Sequence, residues 1–104
     1  MGTKQEFKVA VQNAYEQGAP HPTIGPFLLK DQVLENETLN CLTFDRVEME
    51  DTVFCYCDLR GAVFENCKFS HVIFYKCQLY GVSFPEGRQP TMIECSDFIT
   101  TIMV

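Results

Sequence analysis

Every fifth residue from Leu39 to Phe84 is Leu, Phe or Met: Leu39, Phe44, Met49, Phe54, Leu59, Phe64, Phe69, Phe74, Leu79 and Phe84. These three residue types fill 20 of the 104 positions. Ten in a row on one register would therefore arise by chance about once in ten million trials. Six of the nine phenylalanines lie on this register. A period of five fits neither the 3.6-residue turn of an α-helix nor the two-residue alternation of a flat strand. It is the period of a solenoid that turns a corner every five residues.

The position two before each centre carries a second signal. It reads Glu37, Leu42, Val47, Thr52, Cys57, Ala62, Cys67, Val72, Cys77 and Val82, mostly small or β-branched once past the first repeats. Residues two apart on extended chain point the same way, so a small and a large side chain enter the interior together. The other three positions of each repeat face out and are mostly polar. The clearest repeats are Cys57-Asp58-Leu59-Arg60-Gly61 and Cys77-Gln78-Leu79-Tyr80-Gly81. Over residues 37–84 the chain resembles the pentapeptide-repeat family, with Cys and Val where that family commonly has Ala. The resemblance implies an all-β fold: a right-handed quadrilateral β-helix, a pentapeptide-repeat solenoid.

The flanks read differently. Residues 1–36 are expected to form an N-terminal cap, a short helix over 4–17 ended by Gly18 and then a Pro-rich loop, with Phe7, Tyr15, Phe27, Leu28, Leu29, Val33 and Leu34 covering the open coil. Residues 37–104 are expected to form the β-helix: regular over 37–84, a loop over 85–90, and a shifted register over 91–104. In that last part Thr91 with Ile93, Ser96 with Phe98, and Thr101 with Met103 are the expected inward pairs, either as further repeats or as a capping strand. The whole is one folded domain.

Residues twenty apart stack in adjacent coils, which sorts the outward side chains into columns. Glu48 meets Lys68 and Asp51 meets His71. Val53 meets Ile73, Cys55 meets Tyr75 and Tyr56 meets Lys76, an apolar column that needs cover from the N-terminal segment, a second copy or a partner. Arg60 stacks on Tyr80 as a cation–π candidate. Asp45 stacks on Glu65, with Glu86 at the next turn; like charges across a ladder are unfavourable, which a basic partner would explain and splaying into solvent would also relieve.

Fourteen acidic against eight basic residues give a net charge of −6, which argues against direct contact with nucleic acid. No apolar run is long enough to span a bilayer, and the first residues lack the charged-then-apolar pattern of a signal peptide. A cytoplasmic protein is expected. Of the six cysteines, Cys57, Cys67 and Cys77 fall on small inward sites and read as packing residues; a metal site through Cys55 and Cys57 with His21 or His71 is the competing reading, and no metal or cofactor is expected. No nucleophile–base spacing, phosphate loop or buried carboxylate pair is present, so no enzyme is expected.

Two functions follow as expectations. Some pentapeptide-repeat proteins are acidic rods that imitate DNA. By resemblance, Asp45, Glu48, Glu50, Asp51, Asp58 and Glu65 would stand in for phosphates and block a nucleic-acid-binding protein or complex, such as a topoisomerase or a CRISPR or restriction complex. The alternative is a structural or assembly module that homodimerises through Val53, Tyr56, Ile73 and Tyr75.

Overall fold

The structure is a computed structural model that describes residues 3–87, 89–95 and the backbone of 102–103. The chain opens with helix α1 (Lys4–Glu16). Thr3 caps it by accepting from the Glu6 N–H while the Glu6 carboxylate accepts from the Thr3 N–H, a reciprocal capping box. The strands are short and coil in order. The first coil holds β1 (Thr23–Ile24), β2 (Phe27–Lys30) and β3 (Val33–Glu35). The second holds β4 (Thr43–Asp45), β5 (Val47–Glu50) and β6 (Val53–Cys55), and the third β7 (Val63–Glu65), β8 (Lys68–Ser70) and β9 (Ile73–Tyr75). The last holds β10 (Ser83–Phe84) and β11 (Thr91–Ile93), followed by β12 (Ile102–Met103).

All pairings are parallel and join coil to coil. The first face is β1-β4-β7-β10-β12, the second β2-β5-β8 and the third β3-β6-β9-β11. The fourth face is a column of single bridges, Thr38 to Asp58 to Gln78. The register between complete coils is twenty residues, as in Phe44↔Phe64 and Phe54↔Phe74. A four-sided β-solenoid results.

Its corners have a simple backbone cause. The residue two after each centre takes a left-handed conformation: Asp31, Asn36, Cys41, Arg46, Asp51, Tyr56, Gly61, Asn66, His71, Lys76, Gly81 and Glu94 all have φ between 49° and 73°. One residue in this region turns the chain sharply enough to start the next face. Only two of these positions are glycine, so ten corners carry a side chain that disfavours this backbone.

The interior is filled as the period requires. Every residue from Leu39 to Phe84 on the five-residue register is buried. Phe7, Phe44, Phe64 and Phe84 stack along the axis with ring centroids 6.2, 4.6 and 5.4 Å apart. Cys57, Cys67 and Cys77 are buried at small inward sites, and each thiol donates to the carbonyl of the preceding coil's large residue: Leu34, Phe44 and Phe54 respectively.

Three expectations need correction. The solenoid starts at residue 23 rather than 37, because β1, β2 and β3 pair in register with β4, β5 and β6. Ile24, Leu29 and Leu34 are buried first-coil centres on the same five-residue register, so the cap over this coil is α1 with Phe7 and Tyr15 rather than the whole of 1–36. In β11 it is Met92 that aligns with Phe74, while Thr91 and Ile93 align with outward Ile73 and Tyr75, so the expected inward pair was one residue out of phase. Finally, the Arg60 guanidinium forks onto Asp58 at 2.9 and 2.8 Å instead of lying on Tyr80; a cation–π contact is made by Lys76, 5.5 Å above the Tyr75 ring. Ser96, Phe98 and Thr101 lie outside the described residues.

Candidate functional site

α1 sits on the end of the first coil. Phe7 is fully buried between Phe27, at 5.8 Å edge-on, and Phe44, at 6.2 Å stacked. The helix packs against β1 and β2, so it covers the end of the solenoid and not the third face.

The third face therefore presents Val33, Val53, Ile73 and Thr91 in one outward column and Glu35, Cys55, Tyr75 and Ile93 in the next, apolar apart from one polar residue at one end of each column. Tyr56, at the adjoining corner, is 53% exposed and meets Tyr75 edge-on at 5.9 Å. Val33 and Ile93, at the two ends of the face, are 47% and 39% exposed. The structure brings the four expected interface residues, Val53, Tyr56, Ile73 and Tyr75, into one patch and adds Val33 and Ile93. Those two were missed in the sequence because their coils had been assigned to the cap and to the wrong phase. Lys76 flanks the patch and reaches Glu94 at 3.8 Å.

The six expected phosphate stand-ins are dispersed. Asp45 and Glu65 are in register on the first face, Glu48 and Glu50 lie on the second, Asp51 is at the corner after it, and Asp58 is on the fourth. Five of them already have polar partners. Lys68 approaches Glu48 at 3.8 Å, Lys30 approaches Glu50 at 3.9 Å and His71 approaches Asp51 at 3.6 Å. Arg46 and Asn66 donate to Asp45 at 3.0 and 3.4 Å. The Arg60 fork on Asp58 holds that carboxyl below the usual carboxylate range, chiefly through these hydrogen bonds. Glu65 alone of the six has no side-chain partner among the described residues. It lines an open groove of about 680 Å³ with Lys68, Phe84, Pro85 and Glu86. Glu86 lies beyond the end of β10 instead of continuing the Asp45–Glu65 ladder.

A second groove, of about 540 Å³, runs between α1 and the first coil, with Val11, Gln12 and Tyr15 on one side and Asn36 and Thr38 on the other. Lys8 bridges its walls by pairing with Glu37 at 3.3 Å. No group of three or more His, Cys, Asp or Glu residues suited to a metal ion occurs among the described residues. No helix among them is long and apolar enough to cross a membrane.

Residues 48–84 match the family model for pentapeptide repeats, in eight copies. Neither the curated proteins nor the solved structures contain a match to the chain. The matched stretch begins in the second coil; the first coil pairs with it in the same register although it lies outside the match.

Proposed function

We propose that this chain, whose residues 48–84 are pentapeptide repeats and whose β-solenoid is a fold of protein–protein interaction type, is a non-catalytic binding module that docks a protein partner on its third face. The observation that carries this reading is that α1 caps the end of the solenoid and leaves the third face without cover, with Val33 and Tyr56 exposed and Val53, Ile73 and Tyr75 half-buried. Aromatic and branched apolar side chains on a rigid, flat sheet give contact area at small entropic cost.

Size favours a different protein over a second copy. Four strands about 4.8 Å apart and three residues long make a patch of roughly 15 by 10 Å. A stable dimer needs about 800 Å² from each subunit. A larger partner can add contacts around the rim, where Lys76 and Glu94 lie.

The −6 charge supports a second reading, an acidic blocker that imitates phosphates and occupies a nucleic-acid-binding protein. Local pairing at five of the six carboxylates weakens it, leaving Glu65 with Glu86 as its strongest element.

The two readings separate in a pull-down from host lysate with wild type, Ile73→Asp and the double variant Asp45→Lys/Glu65→Lys, each checked for an unchanged melting temperature. Docking on the third face predicts capture lost in Ile73→Asp, kept in the double variant and resistant to salt and duplex DNA. Capture lost in the double variant and released by salt or DNA would sink that reading in favour of the acidic one.

A further inference from the structure

The backbone of the first coil has a direction, and its hydrogen bonds reveal it. Val53 N–H donates up to the Gln32 carbonyl, and the Cys55 carbonyl accepts from Asn36 N–H, so the peptide groups of Val53 and Cys55 point toward the capped end. Val33 and Glu35 are their register partners one coil earlier. Their N–H and C=O groups point the same way, where β3 is the terminal strand of its sheet. Thr38 likewise repeats Asp58, whose N–H reaches the Glu37 carbonyl and whose C=O accepts from Leu39.

At two other places on this end an upward carbonyl is satisfied by a side chain. Gln32 Nε2 donates to the Lys30 carbonyl at 2.9 Å, and Tyr15 Oη donates to the Asn40 carbonyl at 2.6 Å. The upward groups of Val33, Glu35 and Thr38 bond to no described residue. An unpaired strand edge is a template for another strand. The groove beside α1 continues from this edge, since Asn36 and Thr38 form one of its walls.

We propose that the upper edge of β3, together with the adjoining groove beside α1, takes up an extended segment of a partner protein as an added strand. This rests on the protein-binding reading above and names how such a partner engages. An apolar side chain of the segment enters the groove against Val11 and Tyr15. Basic residues flank it, because Asp31 and Glu35 make no ion pair with a described residue, whereas Lys8 and Lys30 are held by Glu37 and Glu50. A second copy does not fit: α1, about 10 Å across, stands on the coil end and keeps two β3 edges from approaching to the roughly 4.8 Å that strand pairing needs.

The test uses the full chain and two short synthetic peptides, one alternating valine with lysine and one alternating valine with glutamate. Amide hydrogen exchange at Val33, Glu35 and Thr38 is followed by NMR. The expected result is exchange slowed at these three amides, by tenfold or more at saturation, with the lysine peptide. The glutamate peptide and a backbone N-methylated lysine peptide should give little or none. Val33→Pro removes one upward donor while leaving the bonds to β6, and should weaken the lysine peptide about three- to tenfold; Glu35→Lys, which leaves the backbone intact, should weaken it further. Perturbations confined to Ile73 and Tyr75 would overturn the edge site while leaving the third-face reading standing. Failure of the lysine peptide to bind, or equal binding of the N-methylated peptide, overturns the edge site as well. Failure of the broader reading shows separately, as partner capture that survives Ile73→Asp.

Discussion

The Tyr15 hydroxyl donates to the Asn40 carbonyl at 2.6 Å, joining the end of α1 to the first coil. This bond satisfies a carbonyl that would otherwise face an empty coil end. Tyr15→Phe should cost about 1 kcal/mol, read as a fall of several degrees in melting temperature. Burial, then the nearby Cys41 and Asp58, push the Tyr15 hydroxyl up from 10.0 to about 12. Its folded pKa lies above the unfolded value, so its contribution is complete below about pH 10 and is lost as pH rises through about 12. Following tyrosinate absorbance in wild type and Tyr15→Phe should show one late-titrating group that the variant lacks.

The corners predict opposite effects of glycine at two sites. At Gly25 (φ 131°) an added Cβ would run into the Asp45 carbonyl oxygen. Gly25→Ala should therefore destabilise by at least about 2 kcal/mol, because backbone and not a flexible side chain must move. At His71 (φ 54°) a side chain is already present on left-handed backbone. His71→Gly should stabilise by about 0.5 kcal/mol, since relief of strain exceeds both the entropy of glycine and the exposed 3.6 Å contact with Asp51. Chemical denaturation of the two variants measures both shifts.

The five-residue register made the solenoid legible because each corner consumes the same number of residues, and the Asp45–Glu65, Glu48–Lys68 and Val53–Ile73 neighbours followed by counting twenty. The first coil was hidden although Ile24, Leu29 and Leu34 keep the register. Its companion positions do other work: Phe27 packs edge-on against Phe7, and Gln32 caps the Lys30 carbonyl. The phase of β11 was hidden because fewer than twenty residues separate it from β9, and Met92 reaches the inward site through a shortened coil. The Arg60 error has a different cause. Column position fixes which residues are neighbours, but a flexible guanidinium chooses the carboxylate two residues away over the ring one coil below.

The interior thiols should be inert. Burial pushes the Cys67 thiol up to about 11, and Cys77 is pushed up by its hydrogen bond with Cys57 and by burial. Thiolate is the reactive form; the Cys57 thiol is instead pushed down by its hydrogen bond with Cys77, and its inertness rests on being buried out of a reagent's reach. A thiol-alkylating reagent near neutral pH should therefore leave Cys57, Cys67 and Cys77 unlabelled in the native protein and label them after denaturation. Half-buried Cys41, Cys55 and Cys95 should react before them. Mass spectrometry of peptides after timed labelling reads the order. Rapid native labelling of Cys67 would mean that the interior opens far more readily than the stacked phenylalanines suggest.

The core column makes the largest prediction. Phe64 touches Phe44 at 4.6 Å and Phe84 at 5.4 Å on the axis, and Phe69 and Phe74 at 5.4 and 6.1 Å from the side. Phe64→Ala should cost about 3–5 kcal/mol through lost burial and the cavity left behind. Phe64→Leu, which keeps the centre apolar as at Leu59 and Leu79, should cost much less.

Glu65 distinguishes a structural from a functional carboxylate. It lies in register with Asp45, a like-charge neighbour across the ladder, and has no compensating side chain among the described residues, whereas Asp45 has Arg46 and Asn66. Opposed like charges disfavour the sheet by a few tenths of a kcal/mol. Glu65→Lys should therefore raise stability by about 0.5 kcal/mol at low salt, and the gain should shrink as salt screens the pair. If the acidic blocker reading holds, the same change should also abolish partner binding, so the stabler protein would be the inactive one. Docking on the third face predicts instead that Glu65→Lys is stabler and binds as wild type. Measuring melting temperature and partner capture on the same Glu65→Lys preparation, at low and high salt, separates the two.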